Sequence, residues 1–226
     1  MKIQILQLTE GAQNATGLAV IIDVLRAFTT ACYVVANGAE KIIPVGDIEN
    51  AYLLKEEHPQ YVLMGEREGR IQAGFDHSNS PSEIMDLDFR GKTVIHTTSA
   101  GTQGLIAACK ADHIITGSFV NAGAVVEYIK EKNPKTVSLV AMGTNGLIEA
   151  EEDSLCARYL EASLSNEILD LDRIIEQILK SEGAQKFKSS EKTWYPEQDL
   201  SICLELNKFD FVLKFERQEG ILVRCN

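Results

Sequence analysis

Apolar and polar positions fall into alternating blocks along this chain. Gly17-Leu-Ala-Val-Ile-Ile-Asp23 is a continuous apolar run ending in a carboxylate, the pattern of a parallel strand buried on both faces. Residues 24–38 then carry helical spacing, with Asn37-Gly38 as a C-terminal stop. Lys41-Ile-Ile-Pro-Val45 predicts a short strand and 47–57 a helix. Tyr61-Val-Leu-Met64 predicts a third strand, ending at Gly65-Glu66-Arg67. The programme then runs again. Lys92-Thr-Val-Ile95 predicts a strand ending in Thr97-Thr98-Ser99, with a helix over 101–110. His113-Ile-Ile-Thr116 is the next strand and 121–132 the next helix. Val137-Ser-Leu-Val-Ala-Met142 closes the series at Gly143.

Strands alternating with helices predict the α/β class, a three-layer α/β/α arrangement around a mainly parallel or mixed sheet. The shared order of 16–66 and 91–144 points to an internal duplication of a β-α-β-α-β unit within one domain spanning 1–226. The plainer explanation is that any two such stretches look alike. Between them lies 67–90, rich in Gly, Ser, Asn, Asp and Pro, and a connection of that length is more often functional than idle. Glu151 to Leu179 reads as helix in two pieces, and the polar residues 181–199 predict a mobile excursion. Phe209 to Arg224 alternates around Gln218-Glu219-Gly220 and predicts a closing antiparallel hairpin.

Composition narrows the function classes. Of 226 residues, 45% are hydrophobic, enough for a core, yet no run reaches the roughly 18–20 apolar residues of a membrane span. The first ten residues alternate like a strand and lack a signal-peptide block. Five scattered cysteines without a C-x-x-C pair read as reduced thiols, hence a cytoplasmic protein. A net charge of −11 and no basic tract argue against nucleic acid as a partner. An anionic substrate would need local positive charge from arginine, backbone N–H groups or a metal. A homodimer is the default association.

In parallel α/β sheets ligands collect beyond the carboxyl ends of the strands. The first predicted strand delivers Asp23 there, with Arg26 three residues on; the third delivers Glu66 and Arg67. The fourth delivers Thr97, Thr98, Ser99, Gly101 and Thr102. The sixth delivers Gly143-Thr-Asn-Gly146, with Glu152 and Asp153 just beyond. Hard cations such as Mg²⁺ take carboxylate, water and phosphate oxygens. Arginine matches phosphate in a fork, and a Ser/Thr/Gly loop opening a helix offers N–H donors to an anion. Each feature also has a structural reading. Asp23 and Thr97 to Thr102 would serve as caps, Glu152 and Asp153 as favourable first-turn charge, and Arg67 as half of a surface ion pair. Convergence on one rim favours chemistry. No cysteine has an arginine six positions later, neither Asp86-Leu-Asp88 nor Asp170-Leu-Asp172 follows an apolar strand, and no phosphate-loop or dinucleotide glycine motif is present.

The blocks Val20-Ile-Ile-Asp-Val-Leu-Arg-Ala27, Asn37-Gly-Ala39, Gly65-Glu-Arg67, Gly74-Phe-Asp76 with Asn79-Ser-Pro81, Thr97-Thr98 with Gly101-Thr102, Gly117-Ser118 and Glu152-Asp153 resemble, in order, the 2-phosphosulfolactate phosphatase family over about 20–155. The resemblance implies a Mg²⁺-dependent phosphatase of coenzyme M biosynthesis type, hydrolysing (2R)-O-phospho-3-sulfolactate to sulfolactate and phosphate. Metal-assisted phosphoryl transfer would then give catalytic roles to Asp23, Arg26 and Arg67, the two arginines stabilising charge on the phosphoryl oxygens. Metal ligands would come from Glu66, Asp76, Glu152 and Asp153, with Asp23 as nucleophile, base or ligand. Substrate contacts would come from Asn79, Ser80 and the Thr97, Thr98, Ser99, Gly101 and Thr102 loop. That loop departs from the family's usual Thr-Thr-x-Asn-Gly-Thr-Arg at Ala100 and Gln103, where an amide and a guanidinium are missing. Two rivals stay open: a phosphatase for another phospho-2-hydroxy acid, and a non-catalytic binder of a small phosphorylated or sulfonated acid.

Overall fold

The computed structural model describes residues 1–225. Ten strands form one mixed sheet: β1 (Lys2–Gln7), β2 (Leu18–Ile22), β3 (Lys41–Pro44), β4 (Val62–Gly65), β5 (His77–Ser78), β6 (Thr93–Thr97), β7 (His113–Gly117), β8 (Thr136–Ala141), β9 (Val212–Glu216) and β10 (Ile221–Cys225). Their order is β1-β8-β2-β7-β9-β10-β3-β6-β4-β5. The apolar run of β2 is buried throughout. Leu18, Val20 and Ile22 pack into one core and Ala19 and Ile21 into another, so helices cover both faces as the three-layer pattern requires.

Both β-α-β-α-β stretches form, but they interleave. β2 lies between β8 and β7, and β6 lies between β3 and β4. Each stretch thus inserts its first strand between the second and third strands of the other. The hairpin β9–β10 sits in the middle of the sheet, antiparallel to β7 on one side and to β3 on the other. It therefore joins the two parallel groups instead of closing an edge. Following the pairings across it, the two groups run in opposite senses. Five strand steps separate β2 from β6, and the usual twist of about 20–25° per step accumulates to roughly 100–125°. A twist of that size swings their carboxyl ends toward one another, and there the candidate residues meet.

Two local expectations are corrected. The helix after β2 starts at Ala27, not at 24, because Asp23 to Arg26 form the turn that aims Asp23; it is preceded by a short helix, Leu8–Asn14, after β1. The stretch 181–199 is no excursion: it folds into a short helix, Glu182–Gln185, and a 3₁₀ turn, Lys186–Lys188, followed by the helix Glu197–Cys203. Ala184, Phe187 and Leu200 anchor it as a small core of their own against Leu25 and Tyr195. The polar pattern was misleading because this segment packs its few apolar side chains over the strand ends. Among the described residues no helix is long and apolar enough to cross a membrane.

Candidate active site

A cavity of about 70 Å³ opens where the two groups of strand ends converge. Asp23 lines it, 6% exposed. The Ala27 N–H donates to Asp23 Oδ1 at 3.0 Å, and the Gly101 N–H also donates to this carboxylate. Two helices, Ala27–Ala36 and Gly101–Ala107, thus present their first-turn N–H groups to one carboxylate. Gly101 is required there. A Cβ at this position would stand 2.8 Å from Asp23 Oδ2 and 2.8 Å from the Ala27 Cβ.

Three further carboxylates share the cavity: Glu66, Glu152 and Asp153. Asp153 accepts from the Val24 N–H and the Gly143 N–H, both at 2.8 Å, and so ties the loop after β2 to the loop after β8. Glu66 accepts from the Ser99 N–H (2.7 Å), the Gly69 N–H (2.6 Å) and the Ser99 hydroxyl (3.1 Å). Glu152 differs, because its Oε2 is buried and has no hydrogen-bond partner among the described residues. Burial, reinforced by Glu66 and Glu152, pushes Asp23 up to about 7 despite the N–H donors. Asp153 is raised well above the carboxylate range by burial and by Asp23 and Glu152, and Glu152 is raised chiefly by burial.

Positive charge is scarcer. Arg26 reaches the cavity, but its Nη1 donates to Asp199 Oδ2 at 2.6 Å, an ion pair with side chains only 2% and 0% exposed. Its Nη2 donates to the Gly69 carbonyl at 3.3 Å, and the guanidinium lies over the rings of Phe187 and Tyr195 at 5.6 and 5.1 Å. Asp199 also accepts from the Ser80 hydroxyl and the Ser82 N–H, each at 2.9 Å. The second cation lining the cavity is Lys186.

The structure thus brings together Asp23, Arg26, Glu66, Asn79, Ser99, Glu152 and Asp153 around one cavity, with the Gly101 N–H on Asp23. Other sequence candidates have different places. Arg67 turns away: it donates to the carbonyls of Glu66 (2.7 Å) and Gly46 (3.0 Å) and to the Thr97 hydroxyl (2.7 Å), so it and Thr97 brace the neighbouring strand ends. Asp76 lies outside the cavity, where it accepts from Lys55 and from the Leu63 N–H, both at 2.8 Å, and pins its loop to β4. Thr98 and Thr102 cap one another, Thr102 N–H to Thr98 Oγ1 at 3.1 Å and Thr98 N–H to Thr102 Oγ1 at 2.9 Å. Ser80 serves Asp199. Asn79 keeps its place at the cavity, its Oδ1 3.1 Å from His96 Nε2. Sequence reasoning passed over Asp199, Lys186, Phe187 and Tyr195. The 181–199 stretch has no motif, and its only cue is a few apolar residues among polar ones.

Oxygen donors dominate the cavity, the set that hard cations prefer. Among the described residues no three His, Cys, Asp or Glu side chains form a ready-made metal cage. Mg²⁺ does not demand one, since it keeps several waters and takes one or two carboxylates. The buried Glu152 Oε2, without a hydrogen-bond partner among the described residues, is the group that fits such an ion.

A buried, carboxylate-lined cleft beyond the carboxyl ends of parallel strands, with a shell of backbone donors, defines an α/β enzyme that handles a small polar ligand. The chain belongs to the 2-phosphosulpholactate phosphatase family, whose model matches residues 3–218. It is 36% identical to a protein of Carboxydothermus hydrogenoformans over 99% of this chain and 97% of that one. It is 31% identical to a protein of Bacillus subtilis over 89% of this chain and 87% of that one. Both relatives carry the name "Probable 2-phosphosulfolactate phosphatase".

Proposed function

We propose that this chain hydrolyses the phosphate monoester of a small 2-hydroxy acid, foremost (2R)-O-phospho-3-sulfolactate, with Mg²⁺ bound in the cleft. The relatives' name supports the substrate. The observation that carries the metal is the charge balance. Four carboxylates line the cavity, while one of its two cations is spent on Asp199. A phosphate dianion entering that field would be repelled unless a divalent cation came with it. Glu152, with its unpartnered Oε2, is the group that would hold the ion, which when bound would neutralise phosphate charge and orient the ester.

The chain's own residues do the rest. Asp23, buried and pushed up to about 7, is poised to take a proton from the attacking water near neutral pH. The Ala27 and Gly101 N–H groups fix the direction of its carboxylate. Asn79, its Oδ1 engaged by His96, lines the cavity and would offer its amide NH₂ to a phosphoryl oxygen. The aromatic wall of Phe187 and Tyr195 limits bulk water. Cytoplasmic location and a place in coenzyme M biosynthesis complete the proposal. Phosphate release from the purified protein, before and after EDTA, tests it; full activity without divalent metal sinks the metal role.

One observation favours a second reading of the substrate. Ala100 lines the cavity where the family's usual loop carries an amide, and Gln103 points instead to the Gly46 carbonyl. A different phospho-2-hydroxy acid would then be preferred. A panel containing phospholactate and phosphoglycerate beside phosphosulfolactate separates the two.

A further inference from the structure

The cavity has two cations and they are not equivalent. Arg26 is locked at 2.6 Å on a buried Asp199, bonded to the Gly69 carbonyl and held against two rings. Its charge is cancelled and its geometry is fixed. Lys186 lines the same cavity, half-buried; among the described residues its ammonium makes no direct ion pair, and its charge acts across the cavity on Glu152. It comes from the 3₁₀ turn Lys186–Lys188, directly after the helix Glu182–Gln185 whose Gly183 lies against Glu152. A Cβ on Gly183 would stand 2.9 Å from Glu152 Oε2, so this turn is seated hard against the carboxylate rim. On the phosphatase reading the ester to be cleaved would lie on the Asp23 side, with its backbone donors. Among the described residues lining the cavity, Lys186 is the one cation without a direct ion pair left for the substrate's remaining acid groups.

We propose that Lys186 is the specificity-determining cation of this site, binding the acid group of the substrate that is not transferred, its carboxylate or its sulfonate. The assignment rests on the phosphatase reading for the identity of the ligand. Its placement on the tail segment makes acid recognition separable from phosphate chemistry, which is carried by β2, β4, β6 and β8.

Binding of the dephosphorylated acid tests this without relying on turnover. Calorimetric titration of the wild-type protein with 3-sulfolactate in the presence of Mg²⁺ is expected to show saturable binding. Lys186→Ala should weaken it about ten- to hundredfold, the worth of a charge-assisted hydrogen bond. Lys186→Arg should retain most of the affinity, and the melting temperatures of both variants should match wild type. Parallel titration with lactate identifies the group: a loss confined to sulfolactate assigns the sulfonate, and an equal loss for both assigns the carboxylate. With phosphosulfolactate the Lys186→Ala defect should fall on KM more than on kcat. Unaltered sulfolactate affinity in Lys186→Ala, or no binding by the wild type, overturns the proposal. If wild type binds sulfolactate through Lys186 yet releases no phosphate from any ester, the phosphatase reading fails and the Lys186 assignment stands.

Discussion

Asp199→Asn should be the most damaging isosteric change in the tail. The side chain is fully buried and accepts three donors: Arg26 Nη1 at 2.6 Å, the Ser80 hydroxyl at 2.9 Å and the Ser82 N–H at 2.9 Å. An asparagine that keeps its one oxygen for the Ser80 and Ser82 donors turns an NH₂ toward the guanidinium. Arg26, itself 3% exposed, is left as an uncompensated buried cation. Breaking a buried pair from one side costs about 3–5 kcal/mol, a large share of the roughly 5–15 kcal/mol that holds a domain together. At about 2–4 °C per kcal/mol for a chain of this size, the melting temperature should fall by about 6–20 °C. Urea denaturation of wild type, Asp199→Asn, Arg26→Gln and the double variant closes a mutant cycle. The double variant should be more stable than Asp199→Asn alone, because the stranded charge is gone. Phosphatase activity should not return with that stability, because Arg26 also shapes the cavity wall. A cost below about 1 kcal/mol for Asp199→Asn would refute the reasoning, since it would mean that water reaches the pair.

Asp23→Asn should lower kcat by at least about a hundredfold with little loss of fold, the range for a positioned acid–base group; activity within a fewfold of wild type would remove Asp23 from the chemistry. Asp76→Ala, by contrast, should retain activity and cost about 1 kcal/mol, because it removes only a loop staple. Gly101→Ala should impair catalysis more than melting temperature, because the new methyl would crowd Asp23 Oδ2 first. Burial, with help from Arg67, holds His96 down to about 4 from 6.5. Between those values the unfolded chain binds the extra proton, so stability is full above pH 6.5 and is lost as pH falls toward 4. The linked contribution is about 3 kcal/mol, and a pH series of melts on wild type and His96→Gln should show the acid-side slope in the former only.

The strands were legible because both faces of the sheet are covered. A run such as Leu18–Ile22 has no polar interruption to confuse it, and the runs of β2, β4, β6 and β8 each lead into residues that line the cavity. What the sequence hid was order in space. Nothing in a local pattern says that β2 inserts between β7 and β8, since that is decided by which faces remain to be buried once the helices have packed. The carboxylates were legible for the same reason as the strands: Asp23, Glu66, Glu152 and Asp153 lie at strand ends or a helix start. Arg67 and Asp76 have the right chemistry and the wrong direction, and direction is set by backbone carbonyls and by Lys55, which no spacing rule reaches. Asp199 illustrates the opposite case. It is a lone acid in a polar stretch, and its partner Arg26 lies 173 positions away in the chain.

The central hairpin has a consequence for how the protein is made. β9 and β10 follow every other strand in the chain, yet they fill the seam between β7 and β3. Until residues 212–225 have left the ribosome, those two strands are open edges on both halves, with their N–H and C=O groups bare. Open edges invite pairing with other chains. The nascent protein therefore passes through a long interval in which a neighbour's strand could occupy the seam. A chain that stalls or is cut between Leu206 and Val212 should be found in aggregates or chaperone complexes, not as a slightly shortened enzyme.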